Sequence, residues 1–257
     1  MCVEWRKNRM DTNELAIYDD LSFFDNYIEL RNAENNYNDL IEQPIVFGLV
    51  GDVKNKSVLD IGCGYGAMTV KLADAGAQSV VGLDVSEKMV AKAKVENQRD
   101  NIVYRILSAE NLNELDESFD LVVSCLAIHY IEDFNKLFSD IYAHMNDNAT
   151  FVFSMEHPMY TASKNKQKWE LDNDGNVSGF TTDHYGEEGV RNIEWLGKMI
   201  TKYHHKTETV INALIRNGFV LEHIMEPTPS EALRQRVPKT IHELHRPAYL
   251  VVKCRKG

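Results

Sequence analysis

The run Val58-Leu59-Asp60-Ile61-Gly62-Cys63-Gly64-Tyr65-Gly66 constrains the fold of this chain more than any other stretch. It is an apolar strand pattern that ends in an acid and then turns on three alternating glycines. Backbone without Cβ atoms adopts positive φ and lets a ligand approach closely. A helix is expected at once, over Ala67 to Ala75, with free N–H groups at its start. Strand, glycine turn and helix in this order predict the first unit of an α/β sheet, with a nucleotide-type site at the strand's carboxyl end.

Two ligand types compete for that site. Gly62-x-Gly64-x-x-Ala67 satisfies the dinucleotide fingerprint in its Gly/Ala form. Asp60 argues against it, because it puts negative charge where a pyrophosphate would lie, and Gly66 opens the loop further. Downstream, Ser79-Val80-Val81-Gly82-Leu83-Asp84-Val85-Ser86 reads as a second strand ending in an acid. Asp84 stands near the spacing at which an acid binds ribose hydroxyls, and a carboxylate can accept from both. Ser86 is expected to cap a helix running to Asn97, with Met89 on its first turn. Two more segments follow, Ile106-Leu107-Ser108-Ala109-Glu110-Asn111-Leu112 and the apolar run from Phe119-Asp120 to His129-Tyr130.

These four segments, in this order, resemble the class I S-adenosylmethionine-dependent methyltransferases of the small-molecule type, strongly over residues 57–154 and loosely elsewhere. The resemblance implies a Rossmann-like, doubly wound, seven-stranded and mostly parallel sheet with helices on both faces and an antiparallel last strand. It implies S-adenosyl-L-methionine as cofactor and S-adenosyl-L-homocysteine as product. Asp60, Gly62, Cys63 and Gly64 would then form the cofactor loop. Asp84 would take the ribose, while Val85 and Met89 lie beside it, with Met89 covering the adenine. Ala109 and Glu110 would contact the adenine, with Ser108 where the family commonly has Asp. Ser124 and Cys125 would face the methionine part. On a helix ahead of the sheet, Tyr27 and Arg31 share one face, and Arg31 could pair with the methionine carboxylate; packing on the core is the competing role.

Composition bounds the rest. The chain has 257 residues, 44% of them hydrophobic and 26% charged, with net charge −11 and no continuous basic stripe. Those values fit a globular protein and disfavour a nucleic-acid surface. No apolar stretch approaches the roughly 20 residues that span a bilayer, so no membrane association is expected. Cys2, Cys63, Cys125 and Cys254 show no paired spacing, which predicts a reduced, cytoplasmic protein. The dozen polar residues at the N-terminus carry no signal-peptide core and are expected to fray.

Residues 1–50 read as an aromatic, helical cap segment, with Pro44 opening its last helix. Residues 51–158 read as the cofactor-binding core, ending in a fifth strand over Ala149 to Met155. Residues 159–200 form an expected insertion, polar and Gly/Asp/Asn-rich, that would act with the cap as a lid. Residues 201–257 would complete the core with a helix over Thr207 to Asn217 stopped by Gly218, a strand over Phe219 to Met225 and a last strand over Ala248 to Lys253.

Methyl transfer needs alignment and dryness more than a fixed base, so no triad is expected. The candidates for acceptor handling are His129 at the end of strand four, His157 after strand five, and Tyr203 and His204 before the Thr207 helix. Each has a competing role as a packed or turn residue. Tyr18 and Tyr37 are candidates for the acceptor pocket. No Cys/His cluster has metal-ligand spacing, so no metal is expected. The expected activity is methylation of a small molecule at oxygen or nitrogen, with a homodimer left open. The rivals are a tRNA or rRNA methyltransferase and a non-methylating cofactor-binding protein. Against the first stands Ser124-Cys125-Leu126-Ala127, where amino-directed base methylases carry Asn/Asp-Pro-Pro-aromatic.

Overall fold

The computed structural model describes residues 15–165 and 168–257, so the N-terminal residues expected to fray lie outside the described residues. A 3-10 turn (Leu15–Asp19) leads into α1 (Leu21–Asn32), and a π-helical turn (Asn38–Glu42) leads into α2 (Gln43–Val50). Strands then alternate with helices: β1 (Ser57–Ile61), α3 (Ala67–Asp74), β2 (Ser79–Asp84), α4 (Glu87–Glu96), β3 (Ile102–Ile106), β4 (Phe119–Cys125), α5 (Phe134–Ala143) and β5 (Met145–Glu156). After a short helix α6 (Pro158–Thr161) come β6 (Lys168–Leu171), β7 (Val177–Thr181), β8 (Gly189–Trp195) and β9 (Lys198–His204). The chain closes with α7 (Thr207–Arg216), β10 (Phe219–Met225), α8 (Glu231–Arg236) and β11 (Tyr249–Lys256).

Seven strands form one sheet in the order β10-β11-β5-β4-β1-β2-β3. β1 runs parallel to β2 and β4, and β4 to β5, whereas β11 is antiparallel to both β5 and β10. This is the expected seven-stranded Rossmann-like sheet. Alternation along β1 explains its continuous apolar run, because both faces are covered. Val58 joins Val46, Val50, Leu72, Val80 and Val90 on one side. Leu59 and Ile61 join Phe134, Phe138, Phe153, Leu214 and Phe219 on the other. α2 therefore belongs to a helical layer of the sheet as well as to the segment ahead of it.

The second layer is aromatic at its centre. Phe138 lies 6.2 Å from Phe151, 5.8 Å from Phe153 and 6.4 Å from Phe219, ring centroid to centroid. The rings meet edge-on or tilted, the arrangements that their quadrupoles favour.

The insertion between β5 and α7 is two antiparallel hairpins, β6–β7 and β8–β9. β8 and β9 are joined by Leu196 and Gly197, both with positive φ (49° and 78°), the two-residue turn whose twist matches a hairpin. The hairpin runs without a break to His204, so the insertion extends past residue 200, the end expected for it. Its tip docks on α1: the Trp195 ring lies 5.5 Å from Phe23 and 6.0 Å from Tyr27, and Lys198 Nζ pairs with Asp20 Oδ2 at 3.0 Å.

Phe138→Ala removes the ring at the centre of this aromatic layer. The expected loss of stability is about 3–5 kcal/mol, read from equilibrium urea unfolding; a change below about 1 kcal/mol would mean that the layer collapses to fill the space.

Candidate active site

The carboxyl ends of β1, β2 and β4 open into a cleft with about 1040 Å³ of unfilled space counted out to its mouth. Pockets for drug-sized ligands run to roughly 300–1,000 Å³. Its floor is the glycine turn. Gly62, Gly64 and Gly66 all have positive φ, and a Cβ on Gly62 would lie 2.2 Å from the Ala127 Cβ. The loops after β1 and β4 therefore close on each other only because Gly62 has no side chain.

Asp84, at the end of β2, holds that turn. Its Oδ2 accepts from Gly64 N at 2.8 Å and its Oδ1 from Ser86 N at 2.9 Å. Burial pushes its carboxyl up to about 6 against these hydrogen bonds. Asp60, under the turn, accepts from Thr69 Oγ1 at 2.6 Å through Oδ2, while Oδ1 is buried with no hydrogen-bond partner. Burial pushes Asp60 up to about 7, and the nearby carboxylates of Asp84 and Glu42 add to the shift.

The wall toward β3 carries Val85, Met89, Ser108 and Ala109, all expected at the cofactor. Ser86 Oγ caps α4 by accepting from Met89 N at 3.1 Å, which fixes Met89 on the first turn. The opposite wall comes from the N-terminal segment, with Tyr18, Tyr27 and Arg31. The Arg31 guanidinium is clamped: Nη1 donates to Asn36 Oδ1 at 3.1 Å, Nη2 to Asp39 Oδ1 at 3.0 Å, and it lies 5.9 Å from the Tyr65 ring centroid. Cys63 and Cys125 also line the cleft, the latter at the end of β4.

Two expected cofactor residues fall outside the cleft lining. Ser124 alternates with Cys125 along β4, so its hydroxyl turns into the sheet and donates to Ile61 O at 2.9 Å. The Glu110 side chain is exposed at the start of the 3-10 turn that Ser108 Oγ caps.

None of the four candidate catalytic residues lines the cleft. His129 is buried, and burial lowers its imidazole to about 4, so the ring is neutral at neutral pH. His157 is spent on structure: Nδ1 accepts from Met159 N at 3.1 Å to cap α6, and Nε2 pairs with Glu226 Oε1 at 2.8 Å. His204 Nδ1 lies 2.9 Å from Thr161 Oγ1 and Nε2 lies 3.0 Å from Tyr185 O, fastening β9 to the rest of the insertion. Tyr203 is half-buried on β9 opposite Val190. Tyr37 is also outside the cleft, with Lys239 Nζ 5.6 Å above its ring.

The cleft also holds residues to which the motifs assign no role. Tyr130, one position beyond His129, lines it, and its hydroxyl meets that of Tyr18 at 3.0 Å. Behind Tyr130, Lys202 is buried against Glu156, with its Nζ 5.6 Å from the Tyr130 ring and 5.2 Å from Trp195. Glu42, from the π-helical turn, is fully buried on the cleft wall.

Residues 59–153 match a methyltransferase domain family. Over 254 residues the chain is 36% identical to an uncharacterised protein of Haemophilus influenzae, covering 95% of this chain and 98% of that one. It is 35% identical to the crystal structure of an S-adenosylmethionine-dependent methyltransferase from Mesorhizobium loti, with a TM-score of 0.78 over 88% of this chain and all (100%) of that one. The fold is shared with magnesium protoporphyrin IX methyltransferase from Synechocystis PCC 6803, a structure with bound S-adenosylmethionine, at TM-score 0.58 and 16% identity over 98% of this chain and 100% of that one. The cleft and sheet together are those of a class I methyltransferase. This chain belongs to the S-adenosylmethionine-dependent methyltransferases, and S-adenosylmethionine is its cofactor.

The residues present suit that cofactor. The carboxyl-bearing residues Asp60, Glu42 and Asp84 all line the cleft, an acidic lining that suits a ligand carrying a sulfonium and an ammonium. A desolvated acid of this kind strains the empty protein as pH rises. An unfolded Asp titrates near pH ~3.9, whereas Asp60 in the fold titrates near about 7. The folded state holds the extra proton between those values, so the cost is absent below the lower one and complete above the upper one. Asp60→Asn is therefore expected to flatten the fall in the empty protein's Tm between pH 5 and 8, measured by calorimetric scans. An identical pH slope in the variant would show that Asp60 ionises without cost.

Proposed function

We propose that this methyltransferase acts on a small molecule, at an oxygen or nitrogen, beneath a lid made by α1 and the β8–β9 hairpin. The observation that carries the reading is the aromatic mouth of the cleft. Tyr18, Tyr27 and Tyr130 line it, and Trp195 at the hairpin tip packs against Tyr27 and Phe23. The segment before α1 is anchored across the cofactor side as well: Asp19 Oδ1 accepts from Ser86 Oγ at 2.6 Å and from Lys88 N at 3.0 Å. A roof tied at both ends suits an acceptor small enough to be enclosed. The net charge of −11 also disfavours a polyanionic substrate.

In this reading Asp84 accepts from the ribose hydroxyls. Gly62, Cys63 and Gly64 lie along the methionine part, Arg31 pairs with its carboxylate, and Val85, Met89, Ser108 and Ala109 enclose the adenine. When bound, S-adenosylmethionine supplies a methyl carbon activated by positive sulfur. The protein's share is to align the acceptor, exclude water and manage one proton. Burial holds the Tyr18 and Tyr130 hydroxyls protonated, their pKa values raised above that of a free phenol. They serve as hydrogen-bond partners that orient an acceptor rather than as bases. A neutral amine needs no base before attack, and it releases its proton after the methyl has moved.

Asp84→Ala is expected to lose both the ribose contact and the brace on the glycine turn, weakening S-adenosylhomocysteine binding more than about 100-fold, since hydrogen bonds to a charged group contribute about 1.5–3 kcal/mol each. Unchanged calorimetric affinity would reject the ribose role. The activity itself is tested by incubating the protein with S-adenosylmethionine and pools of small amines, phenols and carboxylic acids, with total RNA in parallel, and following S-adenosylhomocysteine release. Turnover is expected with a small-molecule pool. Turnover with RNA alone would move the assignment to nucleic acid, and binding without turnover in any pool would favour a non-methylating binder.

A further inference from the structure

The mouth of the cleft is a corner of tyrosine rings. Tyr18 stands perpendicular to Tyr27 and to Tyr130, at 90° and 88°, with ring centroids 5.2 and 6.3 Å apart. All three side chains line the cleft and are half-buried. Rings set at right angles turn their π faces to adjoining sides of one space, and a π face attracts a cation within about 6 Å. Lys202, whose Nζ lies 5.6 Å from the Tyr130 ring centroid, is paired with Glu156 and so adds no net positive charge that would repel one.

The other ionisable groups of the lining favour positive charge and offer no base. Among the described residues, neither histidine nor lysine lines the cleft, and its one cation, Arg31, is bound to Asn36 and Asp39. The carboxyls are those of Glu42, Asp60 and Asp84. None of them is placed to take a proton from an acceptor. Asp84 is held by Gly64 N and Ser86 N, while Asp60 and Glu42 are 1% and 0% exposed and each accepts from a hydroxyl, of Thr69 and Ser154. Burial keeps the phenols of Tyr18, Tyr27 and Tyr130 protonated, and the thiols of Cys63 and Cys125 as well.

An acceptor must then bring a lone pair that is ready to attack. A neutral amine has one. An alcohol or phenol has to lose a proton as it attacks, and a carboxylate has to enter as an anion among acids. We propose that the acceptor is a neutral amine, and that the rings of Tyr18, Tyr27 and Tyr130 hold the ammonium formed on it. This rests on the small-molecule reading above and narrows it to nitrogen. The nitrogen lone pair forms the N–CH3 bond, the S–CH3 electron pair returns to sulfur, and the positive charge passes from sulfur to nitrogen. The extra proton then leaves the ammonium for water. Total charge in the cleft is unchanged by the transfer itself, so a lining that suits the sulfonium also suits the product.

Ligands of one shape and different charge test this on the full chain loaded with S-adenosylhomocysteine. Phenyltrimethylammonium carries the positive charge, tert-butylbenzene is its uncharged isostere, and benzoate is the anion. Titration should show the cation bound about 3–30-fold more tightly than the isostere, with benzoate weaker than the cation. Tyr18→Leu is expected to remove most of that preference, whereas Tyr18→Phe keeps the ring and the preference. The ratio between isosteres is the readout, because a general loosening of the mouth weakens both alike. If Tyr18→Leu fails to fold by circular dichroism, the wild-type ratios decide. Turnover of S-adenosylmethionine is expected with amines, with the pH midpoint of kcat/KM following each amine's own pKa. Equal binding of cation and isostere, tighter binding of benzoate, an undiminished preference in Tyr18→Leu, or a pH midpoint fixed across amines overturns the proposal. Turnover confined to phenols or carboxylic acids overturns it and leaves the small-molecule reading standing. Turnover with RNA alone, or with no acceptor, overturns both.

Discussion

The contact on which the rest of this site depends is the Asp84 carboxylate bridging Gly64 N and Ser86 N. One side chain at the end of β2 thereby fixes the glycine turn after β1 and the start of α4. Close approach of the turn to the β4 loop is open only to glycine at position 62, where a Cβ would strike Ala127. The turn is held from outside by Leu83 O accepting from Cys63 N, by Asn97 Nδ2 donating to Tyr65 O and by the Asp84 carboxylate on Gly64 N. The same group sits where it can meet a ligand. Architecture and binding are linked through one acid, and a change there disturbs both.

Burial is the second constraint. Asp60, Asp84 and Glu42 all lie at the cleft, and the fold leaves carboxyl oxygens of Asp60 and Glu42 without partners. In isolation that is a defect, because desolvated acids resist ionisation. The empty cleft is poorly matched to a pyrophosphate, which would add negative charge to negative charge. It suits a sulfonium compound whose tail carries both signs. The dinucleotide fingerprint through Gly62, Gly64 and Ala67 is thus satisfied in sequence and opposed by the electrostatics around it.

How much was legible in the sequence divides along contact distance. β1, β2 and β4, with the acids Asp60 and Asp84 that close the first two, are contiguous motifs, and each of them lies where the pattern put it. Val85, Met89, Ser108 and Ala109 follow because they are a few residues from those strand ends. Ser124 fails for a local reason, since strand alternation turns it away from the cleft when Cys125 turns toward it. The histidines fail for a non-local one. Their chemistry suggested acceptor handling, but His157 finds Glu226 and His204 finds Thr161 and Tyr185 across the insertion, and no spacing in the sequence announces those partners. Glu42 is the converse case. A lone Glu in a helical segment carries no signal until the fold buries it on the cleft wall against Ser154.

The docking of the N-terminal segment and the insertion depends on pairings of the same non-local kind. Asp19 reaches Ser86, Asp20 reaches Lys198, and Trp195 reaches Phe23, so the N-terminal segment is held by the core on one side and by the insertion on the other. The segment and the hairpin pack on each other through Phe23, Tyr27 and Trp195. An isolated two-stranded hairpin is marginal in water. β8–β9 gains its footing from α1 at its tip and from the buried Lys202–Glu156 pair along its returning arm. That pair lies directly behind Tyr130, and the Tyr130 hydroxyl meets Tyr18 on the segment before α1. Movement of the hairpin away from the sheet would uncover a buried lysine and a carboxylate together. The hairpin, the segment before α1 and the cleft lining thus share one set of contacts.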